Sequence, residues 1–217
     1  MESPLRTAIP SNCRLIKTFR FDPTGGALNI SLHLKRMAHS AKVFGFPFYE
    51  ETIVKEIGNL SSKHPLRCRL TLGEMGDFNL KSETFENTEK VWKVAIAEQK
   101  LFSCDPWLHH KTTQRRIYDE ARSTLPKELD EFLFVNEKEE VCEGTITNVF
   151  VQLSDGNWIT PPVASGCLPG IFRQIKLQSG TVRERVVTIN ELLKCRQIMV
   201  GNSLRGEILA ELLRLMA

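Results

Sequence analysis

A lysine stands inside the most basic stretch of the chain, HHKTTQRRIYDEAR at residues 109–122. Lys111 follows a loop that contains Trp107 and is followed closely by Arg115 and Arg116. Neighbouring cations disfavour the ammonium form of a lysine, and a free amine can form a Schiff base with a carbonyl compound. The same letters are also typical of a basic helix end in water. Lys111 is therefore a candidate nucleophile with a structural alternative.

Two later segments carry groups suited to opposite kinds of charge. The stretch EGTITNVF places Glu143 at a glycine turn before an apolar strand, where a carboxylate could pair with a protonated ring nitrogen. The stretch TPPVASGCLPGIFR, residues 160–173, places Pro169 before a short helix whose free N–H groups favour phosphate. A solvated glutamate at a turn and a loop shaped by proline and glycine are the structural alternatives.

A fourth segment, GNSLRG, follows a buried-looking strand near the end of the sequence. Asn202 and Ser203 could donate to a phosphate or a carboxylate, or could cap a helix predicted from Leu204 to Met216. The motifs of dinucleotide-binding proteins, P-loop proteins, zinc proteases and α/β-hydrolases are missing from the sequence. These four segments therefore contain the candidate chemistry.

Hydrophobic periodicity predicts the elements that must position these segments. Strands are predicted at Leu15–Phe21, Leu66–Leu72, Val91–Ala97, Glu131–Val135, Ile146–Leu153, Asn157–Thr160, Val182–Val187 and Gln197–Val200. Helices are predicted at Ser31–Phe44, Glu50–Ile57, Gly170–Gln178, Asn190–Lys194 and Leu204–Met216. The pattern is that of an α+β protein, with a small N-terminal domain at residues 1–103 and a C-terminal domain at residues 104–217 built from short strands in a barrel-like mixed sheet.

The bulk composition narrows the class of protein. The net charge of +3, from 29 basic and 26 acidic residues, is too small and too mixed to predict nucleic-acid binding. The six cysteines show neither a C-x-x-C pair nor zinc-ligand spacing, so we expect reduced cysteines and no metal site. We find neither a signal-peptide pattern nor a run long enough to span a membrane, and we expect a cytoplasmic protein.

Taken in order, these segments resemble the class IV aminotransferases, the fold-type IV enzymes that use pyridoxal 5′-phosphate (PLP). EGTITNVF looks like the family's E-G-x-x-x-N-x-F, and residues 160–173 look like T-P-x-x-x-x-x-L-P-G-I-x-R. The stretch from His33 to Ala41 looks like the family's H-x-x-R-L-x-x-S-A helix. The resemblance runs from about Leu15 onward and implies a two-domain fold, a homodimer and a PLP cofactor in the C-terminal domain.

The resemblance also implies a role for each matching residue. Lys111 would bind the cofactor covalently and act as the catalytic residue. The other predicted cofactor contacts are Arg36 and the backbone of Ile171 and Phe172 for the phosphate, Glu143 for the pyridine nitrogen, Leu168 for the ring, and Asn202. The predicted substrate contacts are Arg115, Asn148 and Ser203.

Two positions distinguish members of the family. Asn202 and Arg115 resemble the residues that aminodeoxychorismate lyases carry at these positions. Those lyases release pyruvate and 4-aminobenzoate in folate biosynthesis. Branched-chain and D-amino acid aminotransferases usually carry threonine where Asn202 falls. The start of the chain departs from the family: an expected strand pair is missing, and Lys17 stands where glutamate is common. Such short forms resemble the lyase portion fused to aminodeoxychorismate synthase. The expected activity is the lyase; a branched-chain or D-amino acid aminotransferase and a non-catalytic PLP-fold binding protein are the alternatives.

Overall fold

The computed structural model describes residues 9–87 and 89–213. Their contacts form two compact units, one of residues 9–87 with 110–114 and one of residues 89–109 with 115–213. These units are groups of mutual contacts, and the domain boundary between residues 103 and 104 stays a prediction. The architecture is the expected α+β one, with a small antiparallel sheet in the first unit and a larger mixed sheet in the second.

The first unit is a four-stranded antiparallel sheet in the order β2-β1-β3-β4, with two helices. Its elements are β1 (Leu15–Asp22), β2 (Gly26–Ala27), α1 (Ile30–Phe44), α2 (Glu50–Gly58), β3 (Leu66–Leu72) and β4 (Phe78–Thr84). In β3, buried residues alternate with partly exposed ones, which is the period of a strand with one face in the core. The buried face of α1 includes Leu34, Met37 and Phe44, so the helix completes that core.

The second unit contains eight strands, and six of them close into a ring. Its elements are β5 (Trp92–Ile96), α3 (Arg116–Ser123), β6 (Glu131–Val135), β7 (Val141–Gly144), β8 (Asn148–Gln152), β9 (Trp158–Thr160), α4 (Ile171–Gln178), β10 (Arg183–Glu184), α5 (Ile189–Lys194), β11 (Gln197–Asn202) and β12 (Gly206–Leu212). The order is β10-β9-β8-β11-β12-β5-β6-β7, and β7 also pairs with β8. The ring therefore consists of β5, β6, β7, β8, β11 and β12, and its core is rich in valine.

The predicted helix from Leu204 to Met216 is wrong. Residues 206–212 form strand β12, and residues 214–217 lie outside the described part of the chain. β12 pairs with β11 on one side and β5 on the other, so tertiary pairing outweighs the local helical preference of EILAELL. Gly206 makes the hairpin possible, since its φ of 73° is a backbone angle that glycine adopts at little cost.

Two smaller features complete the description. All six cysteines are unpaired, and four of them are buried. None of the helices in the described ranges has the length and apolar character needed to cross a membrane.

Candidate active site

The segment that carries Lys111 is fixed by the backbone at the start of β1. The amide of Ile16 donates to the Lys111 carbonyl at 2.7 Å, and the amide of Thr113 donates to the Arg14 carbonyl at 2.9 Å. Leu15 and Thr112 form an antiparallel bridge. Lys111 therefore lies in an extended segment beside β1, with a partly buried side chain, and the alternative of a solvated helix end is wrong.

A second lysine, Lys17, lies near Lys111 and Arg36. Lys17, in the middle of β1, has 0% exposure, and its Nζ has no hydrogen-bond partner among residues 9–87 and 89–213. Burial, together with the positive charges of Arg36 and Lys111, lowers the pKa of Lys17 well below its ordinary value of 10.5. The structure thus brings the predicted residues Arg36 and Lys111 close enough to act on one buried amine.

His33 completes this cluster, which we define as Lys17, His33, Arg36 and Lys111. The imidazole is buried beside Phe19, with ring centroids 5.9 Å apart. Burial, together with the positive charges of Arg36, Lys17 and Lys111, lowers the pKa of His33 to about 3. His33 is therefore neutral at pH 7, and the cluster is a place where an anion would relieve electrostatic repulsion.

In the second unit, the predicted residues Glu143, Asn148 and Leu168 form one hydrogen-bonded group. The Glu143 carboxylate is only 6% exposed and accepts from the Tyr118 hydroxyl at 2.8 Å and the Leu168 amide at 3.0 Å. The Asn148 side chain donates to Glu143 at 3.4 Å and to the Leu168 carbonyl at 3.0 Å. Glu143 is thus a buried, oriented carboxylate, and the alternative of a solvated glutamate is wrong.

The first turn of α4 lies directly after this group. Gly170 caps the helix without a side-chain hydrogen bond, and the backbone N–H groups of a first helical turn have no partner inside the helix. A Cβ on Gly170 would lie 1.9 Å from Oδ1 of Asn148, so only glycine lets the two approach. The predicted phosphate contacts, Ile171 and Phe172, are the first two residues of this helix.

Asn202 is the last residue of β11 and organises the hairpin turn. Its Oδ1 accepts from the amides of Leu204 and Arg205 at 3.0 and 2.9 Å, and its Nδ2 donates to the Ile146 carbonyl at 3.2 Å. Because no helix follows, the alternative of a helix cap is wrong, and Asn202 caps a turn instead. Ser203 is the next residue in that turn and is partly buried.

Arg115 is held against the same part of the second unit. Its Nη2 donates to the Thr145 carbonyl at 2.8 Å, its Nε donates to Asp119 at 2.9 Å, and its guanidinium lies 5.2 Å from the centre of the Tyr118 ring. These contacts fix the guanidinium beside the segment that follows Glu143. A substrate contact by Arg115 stays a prediction.

Glu131 is a buried carboxylate that the sequence did not single out. It accepts from the side chains of Arg122, Thr145 and Thr147 and from the amides of Phe132 and Ile146. Burial outweighs these hydrogen bonds and raises the pKa of Glu131 above its usual value. Glu131 thereby ties the turn between β7 and β8, which separates Glu143 from Asn148, to strand β6.

The Tyr118→Phe variant is expected to lose about 1–2 kcal/mol of unfolding free energy at pH 7, because a buried acceptor, Glu143, loses a donor. Burial and the Glu143 charge raise the pKa of Tyr118 well above 10. The stability that the tyrosine adds relative to phenylalanine is therefore present below pH 10 and is lost as the pH rises through the pKa of Tyr118 in the folded state. Urea unfolding at several pH values measures the difference. Tyr49→Phe, at a 61% exposed position, is the matched control and should change little.

Known proteins resemble this chain over most of its length. A sequence model of the class IV amino-transferase family matches residues 15–209, which is most of the chain. The chain belongs to the class IV aminotransferases. This membership confirms the family resemblance seen in the sequence, and it makes the chain a member of a family of PLP-dependent lyases and transaminases.

Relatives of this class IV aminotransferase carry names of both kinds. It is 29% identical over 203 residues to a Schizosaccharomyces pombe protein named "Putative aminodeoxychorismate lyase", covering 88% of this chain and 86% of that protein. It is 36% identical to a Mesorhizobium loti structure described as a "Putative amino-acid aminotransferase", with a TM-score of 0.89 over 93% of this chain and 100% of the other. A Legionella pneumophila structure described as a "Putative 4-amino-4-deoxychorismate lyase" is 21% identical, with a TM-score of 0.78 over 92% and 82% of the two chains, and supports the fold alone.

The site contains residues that sequence reasoning did not predict. The sequence does indicate that Lys17 is buried, because Lys17 lies two residues from both Leu15 and Phe19 and so falls on the apolar face of its strand. Tyr118 and Glu131 carry no such signal, because the hydrogen bonds that join Tyr118 to Glu143 and Glu131 to Thr145 span 25 and 14 residues of sequence. Their roles become visible only when the ring brings the strands together.

Proposed function

We propose that this protein is a PLP-dependent lyase that converts 4-amino-4-deoxychorismate into 4-aminobenzoate and pyruvate. The observation that carries the proposal is the buried Glu143 carboxylate, oriented by Tyr118 and the Leu168 amide, in a chain that matches a named lyase over 88% of its length. We further propose that it works as a cytoplasmic homodimer in folate biosynthesis. Size-exclusion chromatography with light scattering checks the dimer.

The residues present fit PLP by the chemistry of their side chains. The first unit offers a reactive amine in Lys111 and a guanidinium in Arg36, and the orphaned Nζ of Lys17 marks their surroundings as a place for an anion. The second unit offers a carboxylate in Glu143 and the open first turn of α4. These groups match an aldehyde, a phosphate and a protonated pyridine nitrogen, which are the polar parts of PLP.

Each residue then has a proposed task. Lys111 would hold the cofactor covalently, and Arg36 and the amides of Ile171 and Phe172 would bind its phosphate. Glu143 keeps the pyridine nitrogen protonated, and Leu168 packs on the ring. When bound, PLP supplies an electron sink that stabilises negative charge next to the reacting amine.

The proton transfers are the task of Lys111. Its amine would remove the ring proton of the substrate and return a proton to the methylene carbon of the departing enolpyruvyl group, which gives pyruvate, and 4-aminobenzoate would be released when the Lys111 amine displaces its amino group. The neutral amine is the form of Lys111 that can accept a proton. Arg115, Asn148, Asn202 and Ser203 are proposed to line the substrate side.

A transaminase acting on a branched-chain or D-amino acid is the second candidate. The observation that favours it is the 36% identity to the Mesorhizobium loti protein described as an amino-acid aminotransferase. In that reaction the same Lys111 amine would move a proton between two carbon atoms instead of driving an elimination. Both activities are therefore compatible with the same set of residues.

The test is a pair of assays on the purified protein with PLP. Pyruvate and 4-aminobenzoate formed from 4-amino-4-deoxychorismate support the lyase, and 2-oxo acids formed only from amino acid donors assign the chain to the transaminases instead. If the protein shows no visible absorbance from bound PLP after incubation with PLP, both proposed activities are overturned. Asn202→Thr is expected to lower the lyase rate more than the transaminase rate, because threonine is the transaminase-like residue there.

A further inference from the structure

Lys17 occupies a position where its charge has a cost and no protein partner. Its neighbours on the same face of β1, Leu15 and Phe19, are fully buried, and Met37 of α1 is fully buried as well. The Nζ of Lys17 has no hydrogen-bond partner in the part of the chain that the structure describes. Burying an unpaired ammonium group is unfavourable, and a methionine would fill the same space without that penalty.

The groups that face Lys17 raise the free-energy cost of a positive charge on its side chain. Arg36 and His33 approach from α1, and Lys111 approaches from the segment beside β1. Arg36 is a permanent cation and His33 is neutral at pH 7, so Lys17 faces a positive charge in a buried place. A bound oxyanion would remove the cost, because it supplies both the opposite charge and the missing acceptor.

We propose that Lys17 is an anion-binding residue which, together with Arg36, binds one oxyanion, either a phosphate monoester or a carboxylate. The proposal rests on the proposed function only in naming the physiological source, which would be the cofactor phosphate or a substrate carboxylate.

Binding of the anion should be coupled to protonation of Lys17. Its pKa is lowered well below 10.5 without a ligand, and an oxyanion beside it would raise that pKa. Anion binding therefore favours the ammonium form of Lys17 over the neutral amine. Uptake of a proton during binding is the signature of this residue, and a merely structural lysine would not produce it.

The test uses sulfate, which stays a dianion at neutral pH, on the full chain freed of cofactor by treatment with cysteine and dialysis. Isothermal titration in two buffers of different ionisation enthalpy measures affinity and proton uptake together. We expect the unmodified protein to take up as much as about one proton per sulfate, and Lys17→Met to take up less and bind about tenfold more weakly. Lys35→Met, on the exposed face of α1, is the matched control and should behave like the unmodified protein.

A second titration distinguishes the two sources. Benzoate is added to the protein loaded with PLP: weaker benzoate binding by Lys17→Met, in addition to its weaker sulfate binding, identifies a substrate carboxylate, and unchanged benzoate binding identifies the cofactor phosphate. Equal affinities of Lys17→Met and the unmodified protein for both probes would overturn the proposal. The sulfate titration needs no PLP, so it reports on Lys17 even if the chain binds no cofactor.

Folding of the variant is checked separately. Lys17→Met should melt at the same temperature as the cofactor-free protein or higher, because it removes an unpaired buried amine. Lys17→Gln is studied in parallel, so that a loss of fold in one variant leaves the other to decide. A rise in stability together with a loss of sulfate binding would show that the lysine is kept for a ligand.

Discussion

The Lys111→Ala variant is expected to form no covalent link with PLP and to lose at least about three orders of magnitude in turnover. Removing the amine removes the group that attaches the cofactor and the group that moves the proton. The fold should persist, because the segment is held by its backbone: the Lys111 carbonyl accepts from Ile16, and Thr113 donates to Arg14. Loss of activity would then be chemical and not a consequence of unfolding.

Two measurements check this result. Borohydride reduction followed by mass spectrometry should place the cofactor on the peptide containing Lys111 in the unmodified protein and leave that peptide unlabelled in the variant. Lys127→Ala, at an exposed position, is the matched control and should keep both the label and the activity. A label on another lysine, or turnover retained in Lys111→Ala, would contradict the proposed function.

The Glu131→Ala variant is expected to lose about 3–5 kcal/mol of unfolding free energy. The carboxylate is fully buried and accepts from five groups, most of them in the turn between Glu143 and Asn148. Truncation leaves those donors without an acceptor and creates a cavity. Because the same turn orients Glu143, the variant should also bind PLP more weakly.

Urea unfolding measures the stability, and a PLP titration followed by absorbance measures the cofactor affinity. Glu128→Ala removes an exposed carboxylate three residues earlier and should change neither quantity by a measurable amount. A loss below about 1 kcal/mol in Glu131→Ala would mean that the hydrogen bonds to the Glu131 carboxylate contribute little to stability.

The sequence predicted those elements whose signal is local. The strand that starts at Leu15 and the helix that ends at Phe44 are confirmed, because apolar residues repeat there at the period of each element. Strand β4 was not predicted, since most of its residues are exposed and it shows no apolar alternation. Strand β7 was not predicted because all of its residues are buried and it is only four residues long.

The candidate site could be predicted in part, for the same physical reason. Glu143 and the α4 turn lie in short continuous motifs, so the order of amino acids within each motif is enough to identify them. The partners that hold Glu143 cannot be found in this way, because Tyr118 precedes it by 25 residues and Leu168 follows it by 25. The pairing of β12 with β5, across more than a hundred residues, is likewise a property of the closed ring.

The ring closes only when β12 pairs with its neighbours, so it cannot be completed before β12 has been synthesised. β12, at residues 206–212, is the strand that joins β11 to β5, and β5 is made more than a hundred residues earlier. A nascent chain that has not yet released β12 from the ribosome keeps β5 and β11 with unpaired edges. Unpaired edges are sites for pairing with other chains. The last strand therefore decides how long the growing protein is exposed to misassembly.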